Sequence, residues 1–110
     1  KRGAQLEAAL RAAFADHPHV GDIRGRGLFW TVELVADLGT KAPFDPAEAI
    51  APKIGAAAKS RGVMTYPSQG CIDGVNGDHV LLAPSYTSTE AEIDLIVQTL
   101  SAAVADVLEQ

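Results

Sequence analysis

The glycine-rich segment Gly25-Arg26-Gly27 is the first place in the sequence where residue type and spacing could support chemistry. Glycine-rich loops bind phosphate when they follow a strand and open a helix. Here the residues that follow alternate in a way that predicts a strand. We therefore expect no dinucleotide site, and we interpret Gly27 as a position where another backbone or a large side chain approaches closely.

Three other groups of polar residues have the types found at metal or nucleophile sites. His17 and His19 lack the additional ligands of a zinc site, so we expect them in a loop that ends a helix. The segment 73–78 lacks the oxygen spacing of a calcium loop, and its Asn-Gly and Asp-Gly pairs favour turns. Cys71 has no evident histidine and acid partners and is interpreted as a passive thiol. The sequence thus predicts no metal site and no catalytic residue.

Composition narrows the class of protein. The chain has 110 residues, 47% hydrophobic and 21% charged, which is typical of one globular domain. A net charge of -5 without a basic cluster argues against nucleic acid and against an anionic membrane surface. A single cysteine, Cys71, fits a reducing cytoplasm, where we expect the protein. Because the chain begins at Lys1 rather than Met, we expect a piece of a longer polypeptide or a processed one.

Apolar spacing predicts three helices. The first covers residues 1–16, where leucine and phenylalanine recur every four residues. Pro52 interrupts an early helical start, so the second helix is predicted from Pro52 to about Ser60. The third covers residues 89–108, preceded by a capping box of Thr89 and Glu92.

Period-two alternation predicts strands between these helices. The clearest covers residues 27–35, with one wholly apolar face directed to the core and a second face that contains Phe29 and Val35. Short strands are predicted at 63–66 and 79–83, separated by a long loop. The expected fold is an α/β (α+β) sandwich of about three mainly antiparallel strands with helices packed on one face.

Five collinear segments carry a resemblance to a known family. They are VGDIRGRGLFW at 20–30, PFDP at 43–46, RGV at 61–63, VLLAP at 80–84 and TEAEID at 89–94. Together they resemble the C-terminal small domain of class III, fold-type I, pyridoxal-phosphate-dependent aminotransferases. Each segment is short, and their common order and spacing make the resemblance specific.

The resemblance implies a division of labour between two domains. Residues 1–19 would form the connecting helix from a large domain, and residues 20–110 the small domain that closes over the active site. The large domain would bind pyridoxal 5'-phosphate and supply the reactive lysine. The full-length enzyme would be a homodimer acting on small amino and keto substrates, and this chain alone would be inactive.

The same resemblance marks a candidate substrate-binding region. The family often has a carboxylate-binding arginine in its penultimate strand, and the matching position here is Leu81. The missing arginine would either shift the acceptable substrate or leave its binding to another group. Pro67, Ser68, Gln69 and His79 are the candidates near the active-site entrance.

Two alternatives stay open at this point. One is a free-standing small α/β module for ligand binding or dimerisation, and the sequence feature that separates it is the strand face containing Phe29 and Val35. A separated domain should expose that face, whereas a self-sufficient module should cover it. The other alternative is the small domain of a related fold-type I lyase, racemase or mutase, because fold does not fix the reaction.

Overall fold

The computed structural model of the chain describes residues 2–15, 17–63, 65–69, 77–84 and 88–108. In chain order its elements are α1 (Arg2–Phe14), β1 (Val20–Arg26), β2 (Phe29–Leu34), a 3-10 turn (Pro46–Glu48), α2 (Ile50–Ser60), β3 (Tyr66–Gln69), β4 (Asp78–Leu82) and α3 (Glu90–Leu108). The four strands form one antiparallel sheet in the order β1-β2-β4-β3, and the helices pack on one face of it. The predicted α/β sandwich is confirmed, with one strand more than expected.

The additional strand is β1. The sequence predicts a single strand over residues 27–35, whereas the structure has two strands joined at Gly27 and Leu28. Most residues of β1 are polar or glycine, and a bulge between Val20 and Asp22 shifts its pairing with β2. A mostly exposed edge strand has no strict apolar alternation, so the pattern search misses it.

Glycine allows the tight connection between β1 and β2. Gly27 has a φ of +59°, a conformation that other residues adopt only with strain. Apart from its chain neighbours, no atom lies within 4 Å of the point where a Cβ on Gly27 would be. The expected close approach is confirmed at the backbone of Gly27: its carbonyl oxygen accepts a hydrogen bond from Nε1 of Trp30 at 2.7 Å, and a Cβ on Gly3 would lie 2.5 Å from the same oxygen. A second close approach occurs at Gly25, where a Cβ would lie 2.1 Å from the carbonyl oxygen of Phe29.

The core fills the space between the helices and the inner face of the sheet. The three apolar residues of the α1 stripe are buried, as predicted: Leu6, Leu10 and Phe14. The buried residues contributed by β2 and β4 are Trp30, Val32, Leu34, Val80 and Leu82. Val35, predicted on the other face with Phe29, is only 2% exposed. That prediction is wrong because β2 ends at Leu34 and alternation does not continue past it.

Helix α2 begins two residues earlier than predicted. It starts at Ile50, so Pro52 lies in its first turn, where a missing backbone N–H does not cost a helical hydrogen bond. The predicted end at about Ser60 is confirmed. Gly62 follows it with a φ of +90°, and its N–H donates to the carbonyl of Lys59 at 2.9 Å. The N–H of Val63 donates to Ala58 at 3.0 Å, which completes a Schellman-type end.

Strand β3 is shifted along the chain from its predicted position. The prediction ended it at Tyr66 and placed residues 67–78 in a loop, whereas the strand runs from Tyr66 to Gln69. Proline is compatible with an edge strand, and β3 is an edge of this sheet. Pro67 misled the prediction because it is normally a strong loop signal.

Helix α3 begins with the predicted capping box. The N–H of Glu92 donates to Oγ1 of Thr89 at 3.2 Å, and the N–H of Thr89 donates to Oε1 of Glu92 at 2.8 Å. The latter contact lowers the pKa of the Glu92 carboxyl below its ordinary value of 4.5. The helix then packs against both α1 and α2, which joins the helical layer.

Candidate functional site

Strand register brings most of the predicted substrate-binding region together. β3 and β4 are antiparallel neighbours, with Ser68 opposite His79 and Pro67 opposite Val80. Leu81 lies opposite Tyr66 in the same pair of strands. The five candidate positions therefore lie on two adjacent strands at the β3 edge of the sheet, rather than in a long loop.

The sheet has one covered face and one open face. Residues whose side chains alternate with the buried core positions point away from the helices. We call this surface the open face. Its members include Arg26, Phe29, Thr31, Tyr66, His79 and Leu81. His79 and Leu81 are half-buried on this face, and Phe29 and Tyr66 are each 56% exposed.

His79 is the most polar candidate on the open face. It lies between Glu33 of β2 and Ser68 of β3 in register. Within the described part of the chain, its buried Nδ1 atom has no hydrogen-bond partner. Because Nδ1 is buried, a ligand placed over the sheet would use the other ring nitrogen of His79, which can donate or accept a hydrogen bond.

Leu81 offers only apolar contact. Its neighbours across the sheet are Thr31 on one side and Tyr66 on the other. The phenol of Tyr66 is a hydrogen-bond donor and acceptor beside this leucine. Sequence reasoning missed Tyr66 because only the register of β3 against β4 reveals that the two residues are neighbours.

Pro67 and Gln69 lie on the opposite face of β3 from the open face. The ring of Pro67 approaches α2 so closely that a Cβ on Gly55 would lie 2.6 Å from its Cγ atom. Gln69 is opposite the buried Asp78 and is itself exposed. The structure thus places His79 and Leu81 together and separates Pro67 and Gln69 from them.

Asp78 anchors the strand that carries these candidates. It is 1% exposed, and its Oδ1 atom accepts a hydrogen bond from the N–H of Ala51 at 2.9 Å. The residue before α2, Ala49, has a φ of 50° and offers no side-chain cap. A carboxylate from β4 therefore caps the positive end of α2. Sequence reasoning missed this cap because its two partners are 27 residues apart.

Arginine is present at the β1 end of the open face. Arg24 pairs with Asp22 at 3.2 Å and with Glu33 at 3.6 Å, as expected of surface ion pairs. Arg26 lies opposite Phe29 in register and is exposed. Across the described ranges it has no ion pair.

His17 and His19 each make a contact with backbone atoms of the protein. Nδ1 of His17 accepts from the N–H of His19 at 3.1 Å, and Nδ1 of His19 lies 3.0 Å from the carbonyl oxygen of Val35. No cluster of three or more potential metal ligands occurs among the residues that the structure describes. Cys71 and most of the 73–78 segment lie outside the described residues.

The described lysines lie away from the strands that carry the substrate candidates. The Nζ of Lys41 donates to the carbonyl of Gly21 in the loop region after β2. Lys53 and Lys59 lie on α2, in the helical layer. None of these three lysines belongs to the β3–β4 pair, where the substrate candidates lie.

No helix in the described portion is long and apolar enough to cross a membrane.

Comparison with known proteins gives concordant results. An aminotransferase of Schizosaccharomyces pombe is 49% identical over 102 residues, which are 90% of this chain and 22% of the relative. A taurine–pyruvate aminotransferase of Bilophila wadsworthia is 38% identical over 107 residues, 97% of this chain and 23% of the relative. The chain thus spans less than a quarter of the length of these relatives. No protein-family model matches it.

A solved structure agrees with both relatives. The structure of a PLP-bound aminotransferase mutant from Vibrio fluvialis superimposes with a TM-score of 0.86 and 28% sequence identity. The match covers 97% of this chain and 22% of that protein.

Proposed function

The chain belongs to the class III aminotransferase family as its small domain, and we propose that it is the C-terminal part of a longer pyridoxal-phosphate-dependent transaminase. The observation that carries this proposal is the asymmetry of coverage: at least 90% of this chain matches only 22–23% of each relative reported above. That longer protein transfers an amino group between an amine or amino acid and a keto acid or aldehyde. The chain alone is inactive.

The proposed division of labour leaves the cofactor to the large domain. Pyridoxal phosphate supplies the electron sink for amino transfer, and the protein supplies binding and orientation. The placement of the described lysines supports a cofactor bound outside this chain. We propose residues 1–19 as the connection to that large domain and residues 20–110 as the small domain, in a cytoplasmic homodimer.

The small domain contributes to substrate binding in this proposal. Leu81 cannot pair with a carboxylate, whereas an arginine would do so with two hydrogen bonds. Another hydrogen-bond donor then takes that role, and His79 and Tyr66 are the polar candidates nearest Leu81 on the open face. Pro67, Ser68 and Gln69 remain candidates at the β3 edge. The register of β3 and β4 supports this grouping.

An amino-transfer assay on the full-length parent protein tests the proposal. The parent should convert pyruvate or 2-oxoglutarate into the corresponding amino acid when supplied with amines, taurine or amino acids. The matched control is the 110-residue chain alone, which should show no transfer. A parent that racemises or eliminates its substrates without amino transfer would support a related fold-type I enzyme and contradict this function.

A further inference from the structure

Helix α2 contains a glycine that packing, rather than helix preference, explains. Gly55 lies in the middle of this helix, where glycine is less favourable than alanine. A Cβ on Gly55 would lie 2.6 Å from Cγ of Pro67 and 3.2 Å from its Cβ and Cδ atoms. The missing side chain of Gly55 therefore sets how closely β3 approaches α2.

A second contact joins α2 to the same pair of strands. Oδ1 of Asp78 accepts the N–H of Ala51 at 2.9 Å, and Ala51 lies one helical turn before Gly55 on the same face of α2. Asp78 in turn lies two residues before Val80, the register partner of Pro67. Four residues of helix and two residues of strand both span about 6–7 Å, so the two contacts are spaced alike on α2 and on the strands.

Both contacts are adjacent in sequence to substrate candidates. Pro67 precedes Ser68, and Asp78 precedes His79. Ser68 and His79 are opposite each other in register. Because successive side chains of a strand point to opposite faces, α2 holds β4 from one face while His79 points to the other. A shift of the β3–β4 pair against α2 would move the candidates without removing any of them.

We propose that Gly55 and Asp78 are positioning residues for substrate binding, because they fix the β3–β4 pair against α2 and thereby place its substrate-contacting residues. The inference rests on the proposed function, which assigns substrate binding to this pair of strands. Neither Gly55 nor Asp78 touches the substrate in this account. A misplacement of about 1 Å, caused by a change away from the reacting atoms, can cost about 100-fold in activity.

Steady-state kinetics of the full-length parent test the contact between Gly55 and Pro67. At a saturating amino donor, the KM for pyruvate, or for 2-oxoglutarate if that is the acceptor used, is measured for Gly55→Ala, Pro67→Ala and the double variant. Gly55→Ala should raise this KM about tenfold with little change in kcat or in bound cofactor. In the Pro67→Ala background the same change should raise KM less than about twofold, because the Cγ and Cδ atoms that meet the new Cβ are gone.

Gly39→Ala is the matched control for Gly55→Ala. Apart from its chain neighbours, the nearest atom to a Cβ on Gly39 would be Oδ1 of Asp37 at 3.4 Å, an ordinary contact. Gly39→Ala should therefore leave KM unchanged. The comparison of KM with kcat and bound cofactor separates positioning from stability, because an enzyme that is only destabilised loses cofactor and kcat without a higher KM.

Asp78 provides an independent variant in case Gly55→Ala does not fold. Asp78→Ala removes the acceptor of the Ala51 N–H and should raise the same KM about fivefold. Asp78→Asn keeps an oxygen acceptor at this position and should recover most of the affinity.

The outcomes separate this inference from the proposed function. An unchanged KM in Gly55→Ala or in Asp78→Ala overturns the proposal and leaves amino transfer by the parent intact. Equal increases in KM from Gly55→Ala with and without Pro67→Ala also overturn it, because the effect then does not pass through Pro67. A parent without amino transfer removes the proposed function itself.

Discussion

Asp78 stabilises the fold through one buried hydrogen bond. Its buried carboxylate accepts the Ala51 N–H and faces the start of a helix that has no cap of its own. Removal of the carboxylate leaves a buried donor without its partner, and such groups are costly. The interaction also ties the start of β4 to α2, immediately before His79.

We therefore predict that Asp78→Ala lowers the free energy of unfolding by about 2 kcal/mol, measured by urea denaturation of the chain. The control is Asp106→Ala, which removes an exposed ion pair with Arg61 and should cost below about 1 kcal/mol. Equal losses for the two variants would show that the Asp78 contact is not a helix cap.

His79 is the residue that best tests the candidate substrate contact. In the full-length parent, His79→Leu should raise the KM of a carboxylate-bearing substrate about tenfold with little change in kcat, because one hydrogen bond to the substrate is lost. His79→Gln retains a donor and should recover part of this affinity. Steady-state kinetics of both variants provide the measurement. An unchanged KM in His79→Leu would argue against substrate contact at this position.

At the level of secondary structure elements, the β1–β2 hairpin depends on two glycines for different reasons. Gly25 has no space for a side chain, whereas Gly27 has space but a φ of +59°. Gly25→Ala should lower the free energy of unfolding by about 3 kcal/mol through a backbone clash. Gly27→Ala should lower it by only about 1 kcal/mol through strain. Chemical denaturation of both variants checks the order, and a larger loss for Gly27→Ala would refute this explanation of the turn.

The start of α3 makes stability depend on pH. The hydrogen bonds with Thr89 lower the folded-state pKa of Glu92 below 4.5. The stabilisation is therefore complete above the ordinary pKa and is lost as the pH falls through the lowered folded-state value. Glu92→Gln should be less stable than the native chain near about pH 7, and the difference should shrink as the pH falls through the lowered pKa of Glu92. A difference that persists in acid would mean that the carboxylate charge is not responsible.

The elements differ in how well the sequence predicts them. α1 and α3 follow from apolar spacing and the Thr89–Glu92 capping box, because these signals are local in the chain. β1 is missed because an exposed edge strand requires no alternation, and β3 is displaced because Pro67 resembles a loop residue. The cap from Asp78 and the neighbourhood of Leu81 and Tyr66 depend on strand register, which local patterns do not encode.

At the scale of the whole molecule, the chain has a continuous core and an exposed patch on one side of its sheet. The core accounts for the folding of the chain, and Phe29 and Tyr66 are exposed on the open face. The resemblance in the sequence identified the family, whereas the structure shows which face of the sheet the helices leave uncovered. Both observations agree with a small domain that completes a larger enzyme.

The central claim is that the reactive lysine and the cofactor belong to polypeptide outside this chain. Borohydride reduction of the full-length parent, followed by peptide mapping with mass spectrometry, tests it most directly. We predict one pyridoxyl group per subunit on a lysine outside residues 1–110. A parent with no pyridoxyl group, or with the group on any lysine of residues 1–110, would contradict the account.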